Sequence, residues 1–115
     1  MISEVDLQDL GYDEFTAALV KYPKEQKDPV VIEAMYLALG LVGEAGEVSE
    51  KIKKWHRDRS INPHAVILEL GDVAYYLTRL ANTFGFTLED VLKLNRHKLT
   101  DRLQRNALHG SGDSR

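Results

Sequence analysis

The chain has 115 residues, a formal net charge of −3 and a pI near 5.8, with 43% hydrophobic and 29% charged residues. This length suits one domain spanning residues 1–115, and the acidic balance argues against nucleic-acid binding through bulk positive charge. The sequence has no cysteine, which excludes disulfides and thiolate metal sites. The first ten residues lack a signal-peptide pattern, and no apolar run reaches the roughly 20 residues of a membrane span, so we expect a cytoplasmic protein.

Apolar spacings of three and four predict a first helix over about Leu7–Tyr22, interrupted by Gly11. A polar linker with two prolines, YPKEQKDP, follows at Tyr22–Pro29. The same periodicity then predicts a second helix over about Val30–Arg57.

Two further helices have recognisable start signals. Asn62 followed by Pro63 is a typical cap and first residue, and predicts a third helix that runs to about Phe84. Thr87 with Asp90 resembles a capping box and predicts a fourth helix that runs to about Arg105. Residues 106–115 end in HGSGDSR, a glycine-rich polar stretch that we expect to form a flexible tail.

No segment alternates polar and apolar residues over a useful length, so no sheet is predicted. The fold class is therefore all-α, and the short connections indicate an antiparallel, four-helix bundle-like arrangement.

The stretch LGLVGEAGEVSEKIKKW, from Leu39 to Trp55, contains glycine at 40, 43 and 46. Each glycine costs a helix about 1 kcal/mol relative to alanine, and the like-charged Glu44 and Glu47 lie among them. The third predicted helix has a second acidic pair, Glu69 and Asp72, which flanks Gly71. Both pairs have i, i+3 spacing, so each lies on one side of its helix.

Antiparallel packing of these two helices would bring four carboxylates together, and we expect the glycines to let the backbones approach and leave room. Clustered carboxylates repel one another, and a divalent cation removes that cost. An all-oxygen donor set suits Mg²⁺ first and Mn²⁺ next, and Mg²⁺ commonly takes substrate phosphate oxygens as further ligands. The pattern therefore predicts a Mg²⁺ site at Glu44, Glu47, Glu69 and Asp72, whereas a solvated acidic face is the alternative.

A row of polar and basic residues on the fourth helix could bind a nucleotide. Asn95 lies within the apolar stripe, where an amide needs a partner, and Lys98 and Arg102 extend its row. On the other helices, Tyr76 is a candidate neighbour of the base, and Tyr12 and Trp55 are weaker candidates for the same role. Lys51 and Lys54 are candidate phosphate contacts. The alternative is a basic solvated face with ordinary ion pairs.

EAGE at 44–47 and ELGD at 69–72 resemble the ExxE…ExxD signature of MazG-like nucleoside triphosphate pyrophosphohydrolases. The flanking LGLVGEAGEVSEKIKK and ELGDVAYYL resemble the two core helices of that family, NRHKLTDR resembles its Asn-x-x-Lys segment, and LHGSGDSR resembles the tail of short, single-domain members.

The resemblance implies an all-α MazG fold completed by homo-oligomerisation, as a homodimer or a dimer of dimers. It implies Mg²⁺-dependent hydrolysis of a nucleoside triphosphate to a monophosphate and pyrophosphate. Glu44 and Glu47 would be catalytic, and we expect Glu47 to orient the attacking water and accept its proton. The metal ligands implied are Glu44, Glu47, Glu69 and Asp72, and the nucleotide contacts are Asn95, Lys98 and Tyr76.

Two other functions fit the same residues. A phosphoribosyl-ATP pyrophosphatase would use the same chemistry on another substrate. A non-catalytic helical interaction module would use the acidic row to meet a basic partner. The base, the sugar and the number of subunits are not determined by the sequence.

Overall fold

The structure is a computed structural model of the chain and describes residues 4–20 and 29–105. All regular secondary structure in these ranges is helical, which confirms the all-α class. None of the described helices combines the length and apolar character needed to cross a bilayer. The predicted linker, apart from its last residue, and the tail at 106–115 lie outside the described residues. The helices are α1 (Glu4–Gln8), α2 (Tyr12–Ala18), α3 (Pro29–Asp58), α4 (Pro63–Thr83) and α5 (Leu88–Gln104).

The single first helix predicted over about Leu7–Tyr22 is wrong. Two short helices, α1 and α2, take its place, and α2 ends at Ala18. Gly11 adopts an extended conformation (φ −63°, ψ 159°) immediately before α2 and offers no side chain to cap it. The sequence indicated an interruption at Gly11, but apolar periodicity continues across it, so the division into two helices was not predicted.

The predicted starts of α4 and α5 are confirmed in atomic detail. The Asn62 side chain accepts hydrogen bonds from two backbone N–H groups of the first turn of α4, and Pro63 is the first helical residue. At α5, Thr87 Oγ1 accepts from Asp90 N at 3.1 Å while Asp90 Oδ2 accepts from Thr87 N at 2.9 Å. Gly85 adopts a left-handed conformation (φ 82°) just after α4 ends.

Helix α4 is the central element, because α2, α3 and α5 each pack against it and α3 does so most extensively. The α3–α4 pair is antiparallel, since Gly40 meets Tyr76 whereas the later Lys51 meets the earlier Glu69. The connection between them is residues 59–62, where Arg59 takes the left-handed conformation (φ 60°) and closes α3 with a backbone hydrogen bond of 2.7 Å. This antiparallel contact, the α3–α4 seam, positions the acidic residues.

A polar cluster joins α2 to the turn between α4 and α5. Asp13 Oδ1 accepts hydrogen bonds from Asn82 Nδ2 at 2.7 Å and from the backbone N–H of Leu88 at 2.9 Å. Asn82 Nδ2 also donates to the Phe86 carbonyl at 2.9 Å, and Arg79 Nη1 donates to Asn82 Oδ1 at 2.8 Å. One carboxylate therefore fixes the start of α5 relative to two other helices.

The described residues bury little apolar surface within a single chain. Among the described residues, Leu37 is the one hydrophobic side chain in the buried class. Met35, Leu39 and Val42 are 57%, 72% and 70% exposed. Their i, i+4, i+7 spacing forms one stripe on α3, hereafter the α3 stripe, and it lies away from the α3–α4 seam.

Candidate metal and nucleotide site

Three carboxylates meet across the α3–α4 seam. Glu44 of α3 and Glu69 and Asp72 of α4 each offer an oxygen, and these oxygens all lie within 4.8 Å of one another. Glu44 and Glu69 are half-buried, whereas Asp72 is exposed. The i, i+3 spacing within α4 directs its two acids to the same side, and the antiparallel register brings Glu44 opposite them. We call Glu44, Glu69 and Asp72 the acid triad.

Glu47, the fourth acid expected at the site, is not a member of this triad. It is exposed and lies one turn after Glu44 on α3. Its charge nevertheless acts on Glu44, because it contributes to the raised pKa of that carboxyl. The structure thus brings three of the four predicted acids together and leaves Glu47 beside them.

The electrostatics of the acid triad favour a bound cation. Burial is the largest cause that raises the pKa of Glu44 above its usual value, followed by the negative charges of Asp72, Glu69 and Glu47. An ionised Glu44 is therefore costly until positive charge arrives. Carboxylate oxygens from two helices are the donors that Mg²⁺ and Mn²⁺ prefer, so the residues present fit such an ion.

One of the helical glycines has a clear packing role. A Cβ at Gly40 would overlap Cε1 of Tyr76 and lie 2.6 Å from its Cδ1, so the absence of a side chain lets this ring rest on α3. The expectation for the other three glycines is wrong within the described chain. A Cβ at Gly43, Gly46 or Gly71 would meet no atom within 4 Å, because each of them faces open space instead of the other helix.

Tyr12 of α2 and Tyr76 of α4 lie near the acid triad, and Tyr36 of α3 adjoins Tyr76. Tyr76 lies near Glu44 and shares a hydrogen bond with the Tyr36 side chain, and burial is the main cause of its raised pKa. The pKa of Tyr12 is also raised, by burial and then by the charge of Asp72. The sequence indicated Tyr76, gave Tyr12 little weight and missed Tyr36, whose partner is distant along the chain.

Lysines 51 and 54 have different environments. Lys51 Nζ lies 3.8 Å from Glu69 Oε1, so this ammonium reaches one member of the acid triad. Lys54 is exposed near the end of α3. There its charge acts on Asp58, whose pKa is lowered chiefly by the hydrogen bond from Arg57.

The predicted row on α5 is divided between two environments. Asn95 and Lys98 line an open groove of about 510 Å³ whose walls include Phe84 and Phe86. Asn95 is exposed there, so the expected buried-side amide is wrong: α5 leaves this side uncovered. Arg102, by contrast, is buried, with 3% of its surface exposed. It lies in the polypeptide interior instead of on a solvated basic face.

The groove and the acid triad lie at different heights along α4. Ala81, which lines the groove, follows Asp72 by nine residues, which corresponds to roughly 13 Å of helix. The lining of the groove contains no member of the acid triad. Nine residues also correspond to about half a turn around the helix axis, so Ala81 and Asp72 lie on opposite sides of α4. The acid triad and the Asn95–Lys98 pair are therefore two separate regions of the described chain.

The acidic pairs, their meeting across the α3–α4 seam and the helical scaffold agree with a known domain. Residues 33–106 match the model of the MazG nucleotide pyrophosphohydrolase domain. The chain belongs to the MazG family. Its members are nucleotide pyrophosphohydrolases that typically depend on a divalent metal. The matched region contains the acid triad and Asn95 and Lys98 of α5, but not α2 with Tyr12 and Asp13.

Two relatives are similar to this chain in sequence. The chain is 42% identical to the Gene 37 protein of Mycobacterium phage L5 over 85 residues, which covers 70% of this chain and 75% of that protein. It is 34% identical to the uncharacterized protein YvdC of Bacillus subtilis (strain 168) over 74 residues, covering 56% of this chain and 70% of that one. No solved structure matches the chain.

The Gly40–Tyr76 contact yields a stability prediction. Gly40→Ala should lower the free energy of unfolding, since overpacking costs about 1–3 kcal/mol and exceeds the roughly 1 kcal/mol that alanine gains in a helix. Gly71→Ala, where a Cβ would meet no atom within 4 Å, is the matched control and should keep or raise stability. Urea unfolding of both variants, alone and combined with Tyr76→Ala, checks this. Equal losses at the two glycines, or a loss at Gly40 that persists with Tyr76→Ala, would contradict the contact as the cause.

The raised pKa of Glu44 predicts a pH dependence in metal-free protein. A carboxyl whose pKa is higher folded than unfolded binds more protons in the folded state, so stability falls as pH rises from about 4.5 through the raised value. Glu44→Gln should therefore be more stable than wild type at pH 7 without metal, and the difference should shrink below pH 4. Melting temperatures across this range measure it, with Glu50→Gln as control. A wild-type protein more stable than Glu44→Gln at pH 7 in EDTA would refute the prediction.

Proposed function

We propose that this protein is a Mg²⁺-dependent nucleoside triphosphate pyrophosphohydrolase, which converts an NTP or dNTP and water into the monophosphate and pyrophosphate. The single observation that carries the proposal is the acid triad, because three carboxylates from two helices offer oxygens within 4.8 Å of one another. Membership of the MazG family supports the reaction class. Mn²⁺ is the expected substitute, since it accepts the same oxygen donors.

The acid triad would hold the cation and leave its remaining positions for water and phosphate oxygens. When bound, Mg²⁺ screens the charge of the triphosphate and lowers the pKa of a coordinated water. Glu44, Glu69 and Asp72 would hold the ion through their side chains at the contact between two packed helices. The half-buried positions of Glu44 and Glu69 strengthen their interaction with it by limiting solvent screening.

Glu47 is best suited to act as the general base. It is exposed, adjoins Glu44 and stands outside the acid triad, so its carboxylate is available to orient water. It would accept the proton as the water oxygen forms a bond to the α-phosphorus. The bond from that phosphorus to the bridging oxygen breaks, and pyrophosphate leaves with the electron pair. This divides the predicted roles: the acid triad binds metal and Glu47 moves the proton.

The nucleotide would be held first at the acid triad, and Asn95 and Lys98 of α5, which lie in a separate region, would be further contacts. Lys51 lies beside the carboxylates and is suited to contact phosphate, while Tyr76 would border the base. Asn95 and Lys98 offer an amide and an ammonium at the edge of an apolar, phenylalanine-lined groove. Arg102 is buried and Lys54 is distant from the acid triad, so both are less well placed for direct contact with the nucleotide. We propose that they act on the phosphates only through their positive charge.

We also propose that the working protein is a homodimer or homotetramer. The α3 stripe is uncovered in a single chain, although each of its side chains would gain about 1.5–3 kcal/mol from full burial. A second copy is the partner that the resemblance implies, and it would cover this stripe. The open surface at Gly43 and Gly46, beside the stripe, would let another helix approach closely.

A pyrophosphate-release assay with Mg²⁺ tests the function. The panel contains all NTPs and dNTPs together with phosphoribosyl-ATP, and turnover on the last substrate alone would favour the phosphoribosyl-ATP pyrophosphatase alternative. Glu47→Gln should lower kcat by about 10²–10⁴-fold, since a positioned general base contributes that much, while circular dichroism stays unchanged. Glu50→Gln, one turn further and paired with Lys53, should retain activity.

The opposite outcomes are equally clear. No turnover on any substrate and no thermal stabilisation by Mg²⁺ would indicate a non-catalytic interaction module. Full activity in Glu47→Gln would remove the base assignment while leaving the hydrolase in place.

The oligomer has its own test. Light scattering of the wild type should give two or four times the 13.0 kDa chain mass. Leu39→Asp, in the α3 stripe, should lower that mass, because burying an unpaired charge is costly. Leu92→Asp, an equivalent change at an exposed leucine of α5, serves as the matched control. A wild-type mass of one chain, or an unchanged mass in Leu39→Asp, would contradict the assignment.

A further inference from the structure

Lys51 has a contact that the expected phosphate role does not explain. Its ammonium lies 3.8 Å from Glu69 Oε1, across the α3–α4 seam. Glu69 is one of the carboxylates offered to the cation. A phosphate ligand would need to be available to substrate, yet here the positive charge is engaged with a metal ligand.

The position of Lys51 on its helix accounts for this contact. It follows Glu47 by four residues and Glu44 by seven, so it lies on the same side of α3 as both acids. About a third of its side chain is exposed, compared with 22% for Glu69. The ammonium can therefore reach either the acid triad or the solvent side where a triphosphate would lie.

We propose that Lys51 is an exchangeable counter-ion of the metal site. It pairs with Glu69 in the free protein, and it moves to the triphosphate when substrate binds, which releases Glu69 for the cation. This inference rests on the proposed function and deepens it, because it makes metal and nucleotide binding depend on each other through one side chain.

Charge explains why Lys51 would pair with Glu69 in the free protein and leave it when metal and triphosphate bind. In the free protein the ammonium offsets part of the negative charge of the acid triad. Once a divalent cation approaches, the same ammonium repels it and competes for the Glu69 oxygen. Triphosphate oxygens offer the ammonium a new anionic partner, and the flexible lysine stem allows the short move.

The geometry of the pair suits exchange better than permanent support. A separation of 3.8 Å is near the upper limit for an ion pair, and both side chains are partly solvated. Such pairs contribute little to stability and separate readily. Lys53 provides a contrast on the same helix, since it pairs with Glu50 at 3.4 Å, outside the acid triad.

The experiment compares wild type, Lys51→Met and the matched control Lys53→Met, which loses the same charge from the same helix. Isothermal titration with MgCl₂ alone measures metal affinity without nucleotide. Titration with a non-hydrolysable dNTP analogue at saturating Mg²⁺ measures nucleotide affinity. Circular dichroism and melting temperature verify that each variant is folded.

The expected effects of Lys51→Met have opposite signs. Mg²⁺ affinity should rise at least about fivefold, while affinity for the analogue should fall by a similar factor, as is typical of coupled sites. Lys53→Met should leave both unchanged, and Lys51→Arg, which keeps the charge, should resemble wild type. A merely structural lysine would weaken both affinities together.

The outcomes separate this inference from the proposed function. Wild type that binds Mg²⁺ and hydrolyses nucleotide, combined with a Lys51→Met variant in which either effect is missing or both affinities fall, overturns the counter-ion role alone. Wild type that binds neither Mg²⁺ nor the analogue overturns the proposed function, and the counter-ion role with it.

Discussion

The antiparallel register of α3 against α4 is the constraint on which the rest of the site depends. The Tyr76 ring lies directly on Gly40, where any side chain would overlap it. One turn further along α3, that register brings Glu44 opposite Asp72 and Glu69. A shift by one residue would rotate these side chains by about 100° around the helix and separate the acids. The packing of the Tyr76 ring on Gly40 is thus linked to the close approach of three like-charged carboxylates.

The close approach of the three carboxylates is unfavourable in the absence of positive charge. Burial and neighbouring carboxylates raise the pKa of Glu44, and Lys51 offsets only part of the local charge. The fold therefore retains a cost that a divalent cation would relieve. Such a cost makes little sense for stability, and it is common where a site is prepared for a ligand. The same reasoning links the glycine at 40, which is unfavourable in a helix, to the geometry of the site.

The sequence predicted the bounds of α3, α4 and α5 to within about one residue. The starts of α4 and α5 were signalled by Asn62 and Thr87, because each caps its helix through hydrogen bonds to neighbouring residues. It also identified the acid triad, since i, i+3 spacing fixes a helix face. It did not predict that the interruption at Gly11 divides the first helix into two, nor that Glu47 lies outside the acid triad. The first depends on the backbone conformation that Gly11 adopts, and the second depends on contacts between segments distant in the sequence. The exposure of Asn95 likewise depends on how far α5 diverges from its neighbours.

The uncovered α3 stripe and Glu44 of the acid triad lie on one long helix, so α3 contributes both to the proposed assembly and to the proposed metal site. The central claim is that α3 and α4 together hold a divalent cation. Anomalous diffraction from crystals grown with Mn²⁺ tests it most directly. The account predicts one strong peak within coordination distance of Glu44, Glu69 and Asp72. A peak elsewhere, or those three side chains diverging into solvent with no ion between them, would contradict it.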